Sequence, residues 1–270
     1  MVKNKISTLY KGILIGSTML VPGVSGASMA IILGVYDQLI DAVSDFLKDS
    51  KRNFIFLVFF VAGAGAGMVL LAKPILSLLE SYPKVMGFLF IGAVAGGIPA
   101  IYAQAQVNGF FVKNILYIIM GMLVVGVMSL VETERFINGV LGGGYTPVFL
   151  LLAGGLAAVA LILPGISVSY LLLVMGLYQE LMYAISELDL TFLLPIGVGL
   201  FAGIVLFAKG VKFLMTRYPQ ISYLTILGFM LGSLIEVFPG LPVGGEWLVS
   251  VLAAGVGFYF IFSLSKTEVE

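Results

Sequence analysis

Pro22-Gly23-Val24-Ser25-Gly26-Ala27-Ser28 and, far downstream, Pro164-Gly165-Ile166-Ser167-Val168-Ser169 each interrupt a long apolar segment. Proline removes a backbone donor and glycine loosens the chain, so each stretch predicts a helix broken into two half-helices with unpaired amide groups at the break. In lipid, such backbone is tolerated only where it is buried in protein or lines a cavity. Breaks of this kind hold the substrate in many transporters.

The surrounding composition requires a membrane. The 270 residues are 60% hydrophobic and 10% charged, against about 25% charged in a soluble domain, and the mean hydropathy is +1.14. Apolar runs recur along the whole length, each near the roughly 20 residues that a helix needs to cross the hydrocarbon core. The 14 basic and 14 acidic residues cancel and sit in short runs, which leaves no basic surface for nucleic acid. With no cysteine and no histidine, disulfides, thiolate chemistry, imidazole catalysis and most transition-metal sites are absent. No cofactor and no metal are expected. Lys3, Lys5 and Lys11 ahead of an apolar stretch resemble the start of a cleavable signal. A disposable leader has no reason to recur in mid-chain, so residues 1–36 are read as part of the fold.

Aligning the two breaks brings Gly34-Val35-Tyr36 onto Gly176-Leu177-Tyr178. After a small indel Ala72-Lys73 falls on Ala208-Lys209, Tyr82-Pro83 on Tyr218-Pro219, and Gly92 and Gly96 on Gly228 and Gly232. Gly121 is matched to Gly255. The expected fold is an all-α polytopic membrane protein made of two inverted structural repeats, each a re-entrant broken hairpin followed by an amphipathic stretch and about three transmembrane helices. Repeat 1 covers 1–135, with the hairpin at 12–36, the amphipathic stretch at 37–53 and spans at 54–79, 85–103 and 114–131. Repeat 2 covers 136–270, with 147–177, 178–190 and spans at 192–215, 221–238 and 247–264, all in one membrane domain. The fold-back reading rests on Pro-Gly sitting near mid-segment, which leaves arms of about ten residues, too short to span. With the N-terminus in the cytoplasm this reading leaves only Lys73, Lys84 and Arg135 outside, but a crossing arrangement also keeps most cations inside, so charge does not choose between them.

The candidate site follows from the breaks. Gly23, Ser25, Gly26 and Ser28 in one, and Gly165, Ser167 and Ser169 in the other, offer backbone amides, short hydroxyls and the positive helix end, equivalent to about half an elementary charge. Together they suit an anionic group such as a phosphate, with Pro22 and Pro164 making the breaks. The alternative is a proline kink whose serines bond back to preceding carbonyls. Lys73 and Lys209 occupy matching points near the ends of long apolar helices, where they either catch a phosphate or snorkel to the interface. Asp37, Glu180 and Glu236 are candidates for ion coupling, with interfacial solvation as the competing account. An aromatic belt accounts for Tyr36 and Tyr178, and close helix packing accounts for Gly63, Gly65, Gly67, Gly92 and Gly96.

The two break sequences, with Gly34-Val35-Tyr36 and Gly176-Leu177-Tyr178, resemble the polyprenyl-phosphate transporter (PopT) family, formerly domain of unknown function 368, over nearly the whole chain. The resemblance implies a flippase in a bacterial or archaeal plasma membrane that returns undecaprenyl phosphate or a related carrier lipid to the cytoplasmic leaflet for cell-envelope glycan synthesis. The tail stays in lipid, so only the head needs a protein path, and a proton or a sodium ion is the candidate coupling ion. Oligomeric state is not readable. Polyprenyl-diphosphate phosphatases resemble the pattern too, through a Pro-Gly-x-Ser-Arg-Ser break. Here Val168 and Gly26 stand where that arginine belongs, and no clustered glutamates are present to act as base or metal ligands. An anion channel or small-anion transporter is the third reading.

Overall fold

The computed structural model describes residues 2–19, 25–107, 112–129, 145–168, 171–172, 175–187 and 189–267. Pro22, Gly23, Ser169, the Glu236 side chain and the expected 135/136 repeat boundary lie outside the described residues. Eleven helices and no strand occur among them: α1 (Val2–Thr18), α2 (Gly26–Ile32), α3 (Tyr36–Ser44), α4 (Ser50–Ser81), α5 (Pro83–Gln104), α6 (Val112–Ser129), α7 (Pro147–Ile162), α8 (Tyr178–Glu187), α9 (Leu190–Arg217), α10 (Pro219–Val237) and α11 (Glu246–Thr267). Four of these, α4, α5, α9 and most of α11, are long and apolar enough to cross a membrane. Shorter apolar helices fill α6, α7 and α10.

Local chemistry sets the boundaries. The Asp49 carboxylate caps α4 by accepting from the Arg52 amide, Asp189 caps α9 through the Thr191 amide, and Thr146 caps α7 ahead of Pro147. Capping starts α4 at Ser50, inside the amphipathic stretch expected at 37–53. That stretch is instead α3, a turn and the first residues of α4. At Tyr82-Pro83 and Tyr218-Pro219 the tyrosine ends one helix and opens the next with nearly the same backbone, φ −137° and −132°. Proline supplies the first residue of the new helix and disfavours helical geometry in the tyrosine before it.

The broken segments depart from the expected symmetry of arms. Their first arms are α1, 17 residues, and α7, 16 residues, whereas the arm after the first break is α2, with 7. The reach of the first arm was set by packing, because α1 lies along α4 and α7 along α9. Between α2 and α3 the chain bends by 114°. Gly34 (φ 62°) makes that bend, with the Val35 amide donating to the Ala30 carbonyl at 2.9 Å. Gly176 (φ 65°) repeats it, with the Leu177 amide on the Leu172 carbonyl at 2.8 Å. A left-handed residue closing a six-to-one hydrogen bond is a Schellman ending, and glycine adopts it without strain.

Glycines set the helix contacts. A Cβ at Gly12 would strike the Phe60 carbonyl oxygen and one at Gly63 the Leu9 carbonyl oxygen; at the matching places, Gly154 abuts Ile196 and Gly199 abuts Leu151. Across the halves, Gly92 of α5 abuts Ala254 of α11, and Gly228 of α10 abuts Ile118 of α6. Gly121 abuts Thr225 and Gly257 abuts Leu89, so the shift that carries Gly92 onto Gly228 carries Gly121 onto Gly257. The sequence match of Gly121 to Gly255 is therefore corrected: nothing lies within 4 Å of a Cβ at Gly255. Gly65 likewise faces open space, unlike Gly63 and Gly67. α11 thus packs on α5 and α6 on α10, and the larger of two buried cores among the described residues runs from α1, α2 and α3 into α9, α10 and α11.

Candidate functional site: two cavities at the helix breaks

At both breaks a new helical turn opens on a serine. The Ser25 carbonyl accepts from the Met29 amide at 3.1 Å and the Ser167 carbonyl from the Leu171 amide at 3.0 Å. Gly165 has φ 89°, and a Cβ there would lie 2.5 Å from Phe229 Cβ, so only glycine lets the second break seat against α10.

Two cavities flank Ser25. The first, about 40 Å³, is lined by Thr18, Ser25, Ser28 and Ser233 among apolar side chains. The second, about 30 Å³, is lined by Met19, Ser25, Gly26, Ala160, Leu161, Ile166, Ser167 and Val168, and so joins the two breaks. The structure therefore brings Ser25, Gly26 and Ser167 together in one cavity and places Ser28 in its neighbour. Lys73 and Lys209 are exposed and line neither, as are Asp37 and Glu180. The back-bonding alternative describes Ser17 and Thr18, which donate to the Leu14 and Ile15 carbonyls at 2.7 and 2.8 Å. It does not describe Ser28, whose buried hydroxyl has no partner among the described residues.

Three features escaped the sequence. The Tyr36 hydroxyl, buried, donates at 2.7 Å to the carbonyl of Ile162, the last residue of α7, and so ties the bend after the first break to the entrance of the second. An aromatic belt does not describe it, although it suits exposed Tyr178. Lys212 of α9 bridges Asp41 at 2.6 Å and Asp45 at 2.8 Å, clasping α3 to α9. Hydrogen bonds from Lys212 and Lys48 hold the Asp45 carboxyl down at about 2. Loss of hydration and the adjacent Asp41 carboxylate raise Asp37, with Lys212 offsetting part of the effect. The third feature is the hydroxyl pair Thr18 and Ser233 in the first cavity. Lys212 lies one helical turn beyond Lys209, but nothing local in the sequence names its partners on α3.

Residues 15–244 match the family described as undecaprenyl phosphate translocase-like. A polyprenyl-phosphate transporter of Staphylococcus aureus is 32% identical over 97% of this chain and 96% of its own. One from Vibrio cholerae serotype O1 is 28% identical over 87% of this chain and 78% of its own. No solved structure matches the chain significantly.

Proposed function

Since the chain belongs to the undecaprenyl phosphate translocase-like family, we propose that it moves a polyprenyl phosphate carrier lipid across the plasma membrane, returning the head to the cytoplasmic leaflet. The observation that carries this reading is the cavity in which Ser25 and Gly26 of one break meet Ser167 of the other. Backbone amides and hydroxyls there replace the water that a phosphate loses on entering hydrocarbon, while the tail remains in lipid. At about 30 Å³ the cavity is closed to a phosphate, so binding parts the breaks, and alternate parting toward each side is the transport cycle. Reciprocal packing of Gly92 on Ala254 and Gly228 on Ile118 supports two halves related by a pseudo-two-fold axis, the arrangement of inverted repeats divided near residues 135 and 136. Lys73 and Lys209, exposed on α4 and α9, would draw the anionic head toward the mouths. Inward movement of one negative charge costs about 2.3 kcal/mol per 100 mV of inside-negative potential, which favours an accompanying cation.

Both relatives are named as transporters rather than hydrolases, and Val168, which lines the cavity, cannot clamp a phosphate as the phosphatase arginine would. The test is lipid movement in proteoliposomes. Purified protein should carry a fluorescent polyprenyl phosphate between leaflets without conducting inorganic anions, and Ser25→Ala with Ser167→Ala should slow it at least tenfold at unchanged protein yield. Conductance without lipid movement would establish a channel, and phosphate release from a polyprenyl diphosphate would establish an enzyme.

A further inference from the structure

The two cavities that meet at Ser25 differ in chemistry. The second is bordered by Gly26, at the start of α2, and by Ser167, and it suits an anionic head. In the first, the polar residues have little to offer. Thr18 Oγ1 donates to the Ile15 carbonyl at 2.8 Å and Ser233 Oγ to the Met230 carbonyl at 2.9 Å, so both hydroxyl protons are already engaged. Ser28 is 5% exposed and its hydroxyl oxygen is shut off from the space. No charged side chain is among the described lining residues. The rest of the wall is apolar, with Met29 and Ile32 of α2, Phe90 and Val94 of α5, Met230 of α10 and Ile261 of α11. A phosphate or a metal ion would lose its hydration there without replacement, whereas a hydrocarbon group is driven in by leaving water.

We propose that the first cavity seats the isoprene unit that carries the phosphate, while the head enters the second and the rest of the tail stays in lipid. This assignment rests on the proposed transport of a polyprenyl phosphate. Continuity identifies the occupant. A phosphate held beside Ser25 has one covalent neighbour, the first unit of its tail, and the apolar space on the other side of Ser25 is where that unit arrives. Size narrows it further. The volume of about 40 Å³ has room for two or three bodies near water size at roughly 10–15 Å³ each, which matches the methyl branch of an isoprene unit and the carbons beside it. Met29 and Met230, unbranched and adaptable, shift as the unit enters. Amides and hydroxyls at the breaks recognise any phosphate, so they do not separate a polyprenyl phosphate from other anionic lipids. A seat for a branched carbon next to the head does, because a straight acyl chain has no branch to place there.

The experiment measures, by titration calorimetry on the full-length purified protein, the binding of water-soluble phosphates. Dimethylallyl phosphate is the first isoprene unit alone, n-pentyl phosphate is its straight-chain counterpart, and methyl phosphate is the head with almost no tail. Dimethylallyl phosphate should bind at least about tenfold more tightly than methyl phosphate, through its buried carbons, and severalfold more tightly than n-pentyl phosphate. Ala93→Leu fills the first cavity and does not border the second. It should remove that preference while methyl phosphate still binds as it does to the parent, which shows that the variant is folded. Where Ala93→Leu loses methyl phosphate as well, Val94→Ile decides, since it adds a single carbon to the same wall and should reduce the preference in the same direction. Equal binding of dimethylallyl and n-pentyl phosphate, or a preference unchanged in the folded cavity variant, overturns the proposal. Failure of all the phosphates to bind overturns it too, and lipid movement in proteoliposomes then judges the reading beneath it: movement retained leaves transport standing, and movement absent removes both. The full preference without lipid movement supports the seat and overturns the transport reading.

Discussion

The two broken segments begin alike and end differently. Ser25 and Ser167 open matching turns, and Gly34 and Gly176 close matching bends. Beyond the bends, α3 is drawn into the common core, with Tyr36 buried on the Ile162 carbonyl and Asp41 and Asp45 clasped by Lys212. α8 instead carries Tyr178, Tyr183 and Glu187 on its exposed surface, and its buried residues pack in a smaller separate cluster with α7 and the start of α9. The shift that places Lys73 on Lys209 puts Leu76 opposite Lys212, so the second segment has no equivalent cation to hold it. A near-symmetric glycine frame therefore carries a one-sided set of ties. The frame fixes where the helices cross, and the unmatched charges and tyrosine bond tie the bend after the first break into the common core.

The frame gives the largest expected effects. Valine at Gly92 or at Gly228 drives a side chain into the backbone of the partner helix, where no rotamer change relieves it. Each should cost more than about 3 kcal/mol and abolish the monodisperse peak of the detergent-purified protein. If the halves are equivalent, the two variants fail alike; survival of one would show that the frame is symmetric only in sequence. A finer comparison uses two neighbours on α11. Gly257→Ala meets the Leu89 carbonyl oxygen, whereas Gly255→Ala meets nothing and should raise stability by about 0.5–1 kcal/mol through helix propensity. Equal effects on the melting temperature would contradict the register in which Gly121 corresponds to Gly257.

Part of this frame was legible because its residues recur: Tyr82-Pro83 matches Tyr218-Pro219, Gly34 matches Gly176 and Gly92 matches Gly228. The corners, left-handed bends and close approaches made at those positions became visible only in the fold. The arms were misjudged because the distance from a proline to the next charge is no measure of helix length: α1 runs back through Lys11 and Lys5 along α4. Repeat matching also selects residues that occur twice, which made Lys73 and Lys209 prominent although both are exposed. Lys212 pairs with Asp45, 167 residues away, and has no counterpart, so no periodicity announces it. Thr18 and Ser233 were hidden for another reason. A hydroxyl in an apolar helix ordinarily bonds its own backbone, as both of these do, and only the fold shows that the two residues border one cavity.

The tyrosines sharpen the comparison next. Tyr36→Phe leaves the Ile162 carbonyl without the Tyr36 donor, a loss of about 1–3 kcal/mol for a buried group. Tyr178→Phe, at an exposed position, should stay within about 0.5 kcal/mol. Thermal unfolding of the two variants in one detergent measures the difference. A Tyr178→Phe loss as large as that of Tyr36→Phe would mean that the second bend is equally tied down.

The clasp itself should have the smallest effect on stability and the most specific effect on shape. Its partners are partly exposed, with side-chain exposures of 35% for Lys212 and 57% for Asp41, and such pairs contribute little to folding. They do set the spacing of α3 and α9. The Asp45 carboxyl is depressed from 3.8 to about 2 because it accepts hydrogen bonds from Lys212 and Lys48. A carboxyl that is harder to protonate in the folded chain contributes fully above its unfolded value, and the contribution is lost only as pH falls through the folded one. The clasp should therefore hold unchanged throughout the neutral range and release only in strong acid. Spin labels at Gln38→Cys on α3 and Arg217→Cys on α9, placed in a chain with no cysteine of its own, report the separation directly. Lys212→Met should broaden and lengthen that distance at neutral pH, and Lys212→Arg should restore it. A parental distance in Lys212→Met, or a distance that drifts between mildly acid and neutral buffer, would remove the ion pairs as the cause of the asymmetry and leave the tyrosine bond to account for it.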